Sequence, residues 1–298
     1  MPLRRSQLTL PAVMHSTIAA ISVCALLAVG ARSAMNKTVL PLDPATAAHR
    51  YDGIGGLSAG ASSRLLWDYE EPYRTDVLDY LFKPGFGASL AINKVEIGGS
   101  IPSTDGAEPA IEPNGPGDLN CERISYEGWL IAEAQKRNPD MVHYALSWGV
   151  PGWVGNGTYY TEDNIRLHMQ WLECVRNATG VRVGVVGLWN ERSVGAIGLD
   201  WGVRFRRALD AQGYTATRIV VPDGNGDTEG LLGLLASNKT WLSAVDAFGL
   251  HYPCNKPLPQ VEELGLAYWA SEDFSSDTSE WATSGAVWGR VAVQHYVT

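Results

Sequence analysis

The run Val181-Arg182-Val183-Gly184-Val185-Val186-Gly187-Leu188-Trp189 (VRVGVVGLW) decides the architecture of this chain. It is apolar at almost every position, rich in β-branched residues, and closes on Asn190-Glu191-Arg192-Ser193, so it predicts a buried strand. A shorter run, Leu266 to Ala270, leads in the same way into Ser271-Glu272-Asp273. Working outward, Leu90 to Ile97, Met141 to Trp148, Ile219 to Val221 and Val245 to His251 also read as strands, and a first strand is expected around Ile54. Between them lie amphipathic stretches. Tyr73 to Phe82 is stopped by Pro84, Tyr126 to Arg137 ends before Pro139, Asn164 to Arg176 before Gly180, and Val203 to Ala211 before Gly213. Strands alternating with helices imply parallel strands joined by right-handed crossovers. A doubly wound open sheet would carry G-x-G-x-x-G after its first strand, and Tyr51-Asp52-Gly53-Ile54-Gly55-Gly56 does not have that spacing. The expected fold is therefore α/β, a (β/α)8 TIM barrel, which typically takes about 250 residues. Seven strands are found, and Trp288 to Tyr296 reads as the start of a seventh helix, so the barrel is expected to be truncated before its eighth strand.

The 298 residues are 45% hydrophobic and 18% charged, ordinary for a folded domain, and the net charge of −9 argues against nucleic acid or an anionic membrane surface as partner. Eleven tryptophans against five phenylalanines supply indole faces of the kind that stack on sugar rings, although most are expected in the core. Arg4 and Arg5, the apolar stretch Thr17 to Ala31 and the small residues Ala31, Ser33 and Ala34 form the pattern of a secretory signal, expected over residues 1–33. That stretch falls short of the ~20 apolar residues needed to span a bilayer, so no transmembrane segment is expected after cleavage. Secretory entry makes Asn36, Asn156, Asn177 and Asn238 candidate glycosylation sites. Cys24 leaves with the signal; of Cys121, Cys174 and Cys254, at least one is expected to lack a partner in this chain. The six histidines are dispersed and no C-x-x-C occurs, so neither a metal nor a cofactor is expected.

Glu191 and Glu272 each stand just past a strand, roughly three strand–helix units apart, which suits strands four and seven on facing sides of one barrel mouth. Two carboxylates meeting there are what glycoside hydrolysis needs, one to protonate the leaving oxygen and one to attack the anomeric carbon. Either glutamate alone could instead be an ion-pair partner, given Arg192 and Asp273 beside them. Asn190 is placed to hydrogen-bond a sugar 2-hydroxyl, or simply to cap the following turn. His251 and Ser275 are further strand-end residues, His251 expected in a structural hydrogen-bonding role.

Longer motifs make a resemblance specific: YDGIGGLSAG at 51–60, LDYLFKPGFGASL at 78–90, KVEIGG at 94–99, TDG at 104–106, KRNP at 136–139, PGW at 151–153, LWNERS at 188–193, HYP at 251–253 and SEDFS at 271–275. On these the chain resembles the galactocerebrosidases of glycoside hydrolase family 59. The resemblance implies Glu191 as proton donor and acceptor, Glu272 as nucleophile, and sugar contacts from Thr104, Trp148 and Asn190. It implies a retaining β-galactosidase that cleaves galactosylceramide-type sphingolipids to galactose and ceramide in the lysosome or outside the cell, with a possible saposin-type activator as partner. Residues 34–50 would then be an N-terminal extension left from a sandwich strand, and 51–298 an incomplete catalytic barrel. The rivals are an inactive truncated barrel that binds galactolipid and a related retaining β-glycosidase with another substrate.

Overall fold

The structure, a computed structural model, describes residues 51–104, 106–253 and 257–273, together with Gly285 and Gly289. Seven strands form one sheet in chain order: β1 Gly55–Ser58, β2 Ile92–Glu96, β3 Val142–Leu146, β4 Val185–Gly187, β5 Arg218–Gly224, β6 Ala247–His251 and β7 Ala267–Glu272. Every neighbouring pair is parallel. The strands are those expected, with one difference. The long valine run contributes only three residues of regular ladder as β4, although the Gly184 N–H bonds the His143 carbonyl (2.9 Å) and its own carbonyl accepts from the Arg218 N–H (2.9 Å), extending the pairing by one position.

Side chains alternate across each strand with period two, and both faces are covered. Tyr144, Leu146, Val185, Val220 and Ala247 point to the concave side, where Ile92, Val142, Trp148, Ala267 and Trp269 join them. Val95, Ala145, Val186, Val221 and Phe248 point outward into the larger core beneath the helices. Those helices are α1 Ser63–Trp67, α2 Tyr73–Phe82, α3 Ser125–Arg137, α4 Glu162–Thr179, α5 Gly195–Ala211, α6 Thr228–Ser237, α7 Lys239–Leu242 and α8 Pro259–Glu263. Helix α2 has the expected limits, and α4 runs one turn further than expected until Gly180 takes a left-handed C-cap (φ +75°). Helix α5 starts eight residues before the expected Val203, because Gly195, Gly198 and Gly202 suppress the helical signal. Gly198 is needed for packing: a Cβ there would stand 2.9 Å from the ring of Tyr160.

The sheet curls. The Lys94 ammonium on β2 reaches across to the Ser271 carbonyl on β7 (3.0 Å), and the Trp269 indole donates to Asp52 ahead of β1 (2.9 Å). Among the described residues no ladder joins β7 to β1. Cys121 and Cys174 form a disulfide between the turn preceding α3 and helix α4; Cys254 lies outside the described residues, as do Ser275, all of residues 1–50 and, apart from Gly289, the helix expected from Trp288. Among the described residues no helix is long and apolar enough to cross a membrane.

Candidate active site

The C-terminal ends of β4, β5, β6 and β7 bring the two predicted carboxylates together. Past β4 the chain stays tied to its neighbours: the Asn190 N–H donates to the Ser147 carbonyl beyond β3, and the Glu191 N–H to the Asp223 carbonyl on β5 (2.9 and 3.0 Å). Glu191 takes a left-handed backbone (φ +52°), and so do Asp223 (+58°) and Tyr252 (+50°) at the next two strand ends. Such residues cost about 1–3 kcal/mol each and persist where the surroundings fix them, characteristically at functional sites. The turn at Glu191 also needs Gly224 opposite, where any Cβ would approach the Glu191 Cα to 2.9 Å.

Glu272 is the last residue of β7, paired in register with His251 of β6. One carboxylate oxygen of Glu191, one of Glu272 and a ring nitrogen of His251 all lie within 4.8 Å of one another. The two glutamates have different surroundings. Glu191 is the more open, its side chain 37% exposed, and its Oε1 lies 3.2 Å from His251 Nδ1. Glu272 is 17% exposed; its Oε1 accepts from the Tyr252 hydroxyl (2.8 Å), and its Oε2 stands 3.7 Å from the Lys94 ammonium. That Oε2 is buried without a hydrogen-bond donor, and so is Asn190 Oδ1. Two buried acceptors awaiting donors at one mouth are what a polyhydroxylated ligand satisfies.

Beneath the pair lies Asp223, wholly buried, which accepts from the Lys94 ammonium (3.0 Å), from His251 Nε2 (2.9 Å) and from the Tyr144 hydroxyl. Burial alone would push its carboxyl up, but the Lys94 charge, His251 and Tyr144 overcome that and hold it at about 2. Burial, and then the Glu272 carboxylate, push the Tyr252 hydroxyl far up, so it remains a neutral donor to Glu272. Glu191, His251 and Glu272 are spaced so that they could enclose a divalent cation. Lys94 already supplies positive charge 3.7 Å from Glu272, however, which opposes a second cation there.

The other predicted contacts lie at the same end of the sheet. Trp148, just past β3, packs on the concave cluster, and its carbonyl accepts from the Trp189 indole (3.1 Å). Thr104 is exposed on the connection after β2, next to Ser103, whose hydroxyl bonds Glu96. Sequence reading missed Lys94, Tyr144, Asp223 and Tyr252. A signal did exist for Lys94: in Leu90 to Ile97 it shares the inward face of an otherwise buried strand with Glu96. Asp223 gave none, because Pro222-Asp223-Gly224 looks like an ordinary turn.

Residues 51–298 match the profile of glycosyl hydrolase family 59. The chain belongs to that family. It is 38% identical over 280 residues to the galactocerebrosidase of Macaca mulatta and 39% identical over 252 residues to that of Mus musculus. These alignments cover 92% and 83% of this chain but 39% and 36% of the relatives, so this family 59 chain spans well under half their length. Among solved structures, SrfJ from Salmonella typhimurium shares the fold with a TM-score of 0.68 at 17% identity, covering 83% of this chain and 63% of that one. The catalytic domain of the GH30 xylanase C from Talaromyces cellulolyticus gives 0.63 at 17% identity, covering 86% and 67%.

Proposed function

We propose that this chain carries the catalytic pair of a retaining β-galactosidase acting on galactosylceramide-type glycolipids. The observation that carries the reading is the separation of Glu191 and Glu272, whose carboxylate oxygens come within 4.8 Å across the strand ends. Double displacement calls for carboxyl groups about 5–5.5 Å apart, whereas single displacement by water needs about 6.5–9.5 Å. Glu272, facing the Lys94 ammonium and the Tyr252 hydroxyl, attacks the anomeric carbon. Glu191, open to the mouth, gives its proton to the glycosidic oxygen, and the ceramide alcohol departs. The galactosyl–Glu272 ester is then cleaved by water that Glu191 deprotonates, returning both carboxyls to their starting states. The Asn190 amide meets the 2-hydroxyl, Trp148 stacks on the sugar face, and Thr104 closes over it from the β2–α3 connection.

The galactosyl and ceramide specificity rests on the names of the relatives. The seven strands are read as part of an eight-stranded barrel, with residues 1–33 as a signal, 34–50 as an extension and a lysosomal or secreted destination. A saposin-type activator is the proposed partner for lipid presentation, and Asn156, Asn177 and Asn238 the proposed glycan sites.

The test is labelling of the full chain with a 2-deoxy-2-fluoro-galactoside bearing a good leaving group, followed by peptide mass mapping. The expected result is one covalent adduct on Glu272, absent in Glu272→Gln. Galactose binding with no adduct would favour an inactive galactolipid binder. An adduct formed only with other fluorosugars would assign a different β-glycoside.

A further inference from the structure

The register of the sheet slips by one residue on each side of β6, and both slips serve one side chain. Between β5 and β6, Pro222 pairs with Gly249 and Gly224 with Leu250, so Asp223 is the extra residue. Between β6 and β7, Leu250 pairs with Ala270 and His251 with Glu272, so Ser271 is the extra residue. Strict alternation would send Asp223 outward, as Val221 is, and would set Glu272 opposite to the inward Trp269. An extra residue in a strand re-aims the side chains around it, characteristically beside active sites. Here the two slips turn Asp223 and Glu272 towards His251 of β6.

His251 is only 1% exposed, and both ring nitrogens are engaged. Nε2 lies 2.9 Å from Asp223 Oδ1. Asp223 also accepts from the Lys94 ammonium and the Tyr144 hydroxyl, the surroundings of an ionised carboxylate. Such a group has nothing to donate, so the hydrogen in the bond to His251 is on Nε2. That bond fixes the ring and aims Nδ1 at the mouth, 3.2 Å from Glu191 Oε1 and 3.8 Å from Glu272 Oε2. A bare lone pair on Nδ1 facing a carboxylate oxygen at 3.2 Å would be repelled, so a hydrogen lies between Nδ1 and Oε1. Whether it is bonded to Glu191 or to the ring, one proton is stored in this pair before a substrate arrives.

We propose that His251 is a positioning residue for Glu191: anchored to Asp223 through Nε2, it uses Nδ1 to hold the Glu191 carboxyl and its proton ready for the leaving oxygen. The inference rests on the catalytic reading above. Glu191 needs such a hold, because its side chain is 37% exposed and nothing about burial would keep it still. As the bond from the anomeric carbon to the glycosidic oxygen breaks, that oxygen keeps the electron pair and takes the stored proton from Glu191. Glu191 is then ionised beside a neutral ring, and the proton it later removes from water restores the pair. Lys94 and Tyr144 act one step further back, by holding Asp223 and through it the ring.

The test replaces the ring in the full chain. An asparagine amide reaches about as far as Nδ1 and a glutamine amide about as far as Nε2. His251→Asn therefore keeps a partner for Glu191, whereas His251→Gln keeps only the partner for Asp223. Each is assayed for kcat/KM on an alkyl β-galactoside, whose leaving oxygen needs a proton, and on a 2,4-dinitrophenyl β-galactoside, whose leaving group does not. His251→Gln should lose about 10- to 100-fold on the alkyl substrate and about threefold or less on the dinitrophenyl one, with His251→Asn nearer the wild type. In a Glu191→Gln background, His251→Gln should add no further loss. Equal losses on the two substrates, a smaller loss in His251→Gln than in His251→Asn, or losses that add to that of Glu191→Gln overturn the proposal. Nitrogen-15 NMR of the histidine-labelled chain gives a check without turnover. Nε2 of His251 should carry a hydrogen, and its Nδ1 resonance should move in Glu191→Gln; an Nδ1 that does not respond overturns the proposal. If Glu191→Gln itself loses both substrates equally, the catalytic reading falls and this inference with it. If Glu191→Gln discriminates between the substrates and His251→Gln does not, only this inference falls.

Discussion

The glutamates at the mouth and the glutamates behind β2 share a residue type and differ in what surrounds them. Glu272 faces an ammonium and a phenol, and Glu191 faces an imidazole and solvent. Glu108 and Glu127 are both buried beside one another, and Glu127 accepts from the hydroxyls of Ser58 and Ser63. Beside Lys94 the buried Asp223 carboxyl is held low, whereas burial without a cation raises Glu108 and Glu127. What separates the two groups is whether a cation or another acid lies within reach.

The comparison breaks most severely at the mouth. Glu272→Gln should abolish turnover of a galactoside, and Glu191→Gln should lower it by about 10²–10⁴-fold, with a smaller loss on an aryl galactoside whose leaving group needs no proton. Steady-state kinetics on the two substrates check this. Next comes the support beneath the pair. Asp223→Ala strands the Lys94 ammonium and the His251 ring in the interior, and should cost about 3–5 kcal/mol in denaturant unfolding.

The pH dependence of stability sharpens the contrast. Between pH 4.5 and about 7 the folded chain holds a proton on Glu108 that the unfolded chain has released, so stability falls as pH rises across that window. The fall from this group is at most about 3 kcal/mol, less with solvent screening, and should vanish in Glu108→Gln. Asp223 works in the opposite sense. Its carboxyl, held at about 2 against a usual 3.8, adds stability above 3.8 that is lost as pH falls from there towards 2. Burial also lowers His143 and His168 to about 4, which opposes the Glu108 slope below 6.5, so the Glu108 contribution is read as the difference between wild-type and Glu108→Gln urea midpoints from pH 3 to 8. The smallest effect is expected at Arg64→Ala. Its partner Asp68 and Arg64 itself are 54% and 61% exposed, and the midpoint should correspond to a change within about 0.5 kcal/mol.

Much of the fold was legible because its signals are local. Helix α2 is bounded by its own apolar spacing and by Pro84, and the six strands after β1 announce themselves as short runs rich in apolar residues. Where glycine serves packing rather than helix propensity, as at Gly198 in α5, the local signal points the wrong way and the first turns go unread. The two candidate carboxylates stand out in the sequence because each closes a strand, whereas Asp223 and Tyr252 depend on neighbours far away in the chain and look like turn residues. The carboxyl cluster was invisible for a stronger reason. Glu108 and Glu127 carry no sequence mark of burial, and their meeting with Glu96 is a product of how β1, β2 and α3 pack.

Gly224 has a practical bearing. Because the atom it lacks would fall against the main chain of Glu191, no library aimed at new sugar preferences can be diversified at that codon without displacing Glu191, the proposed proton donor. A randomisation experiment at this position should return glycine at 224 from every active clone.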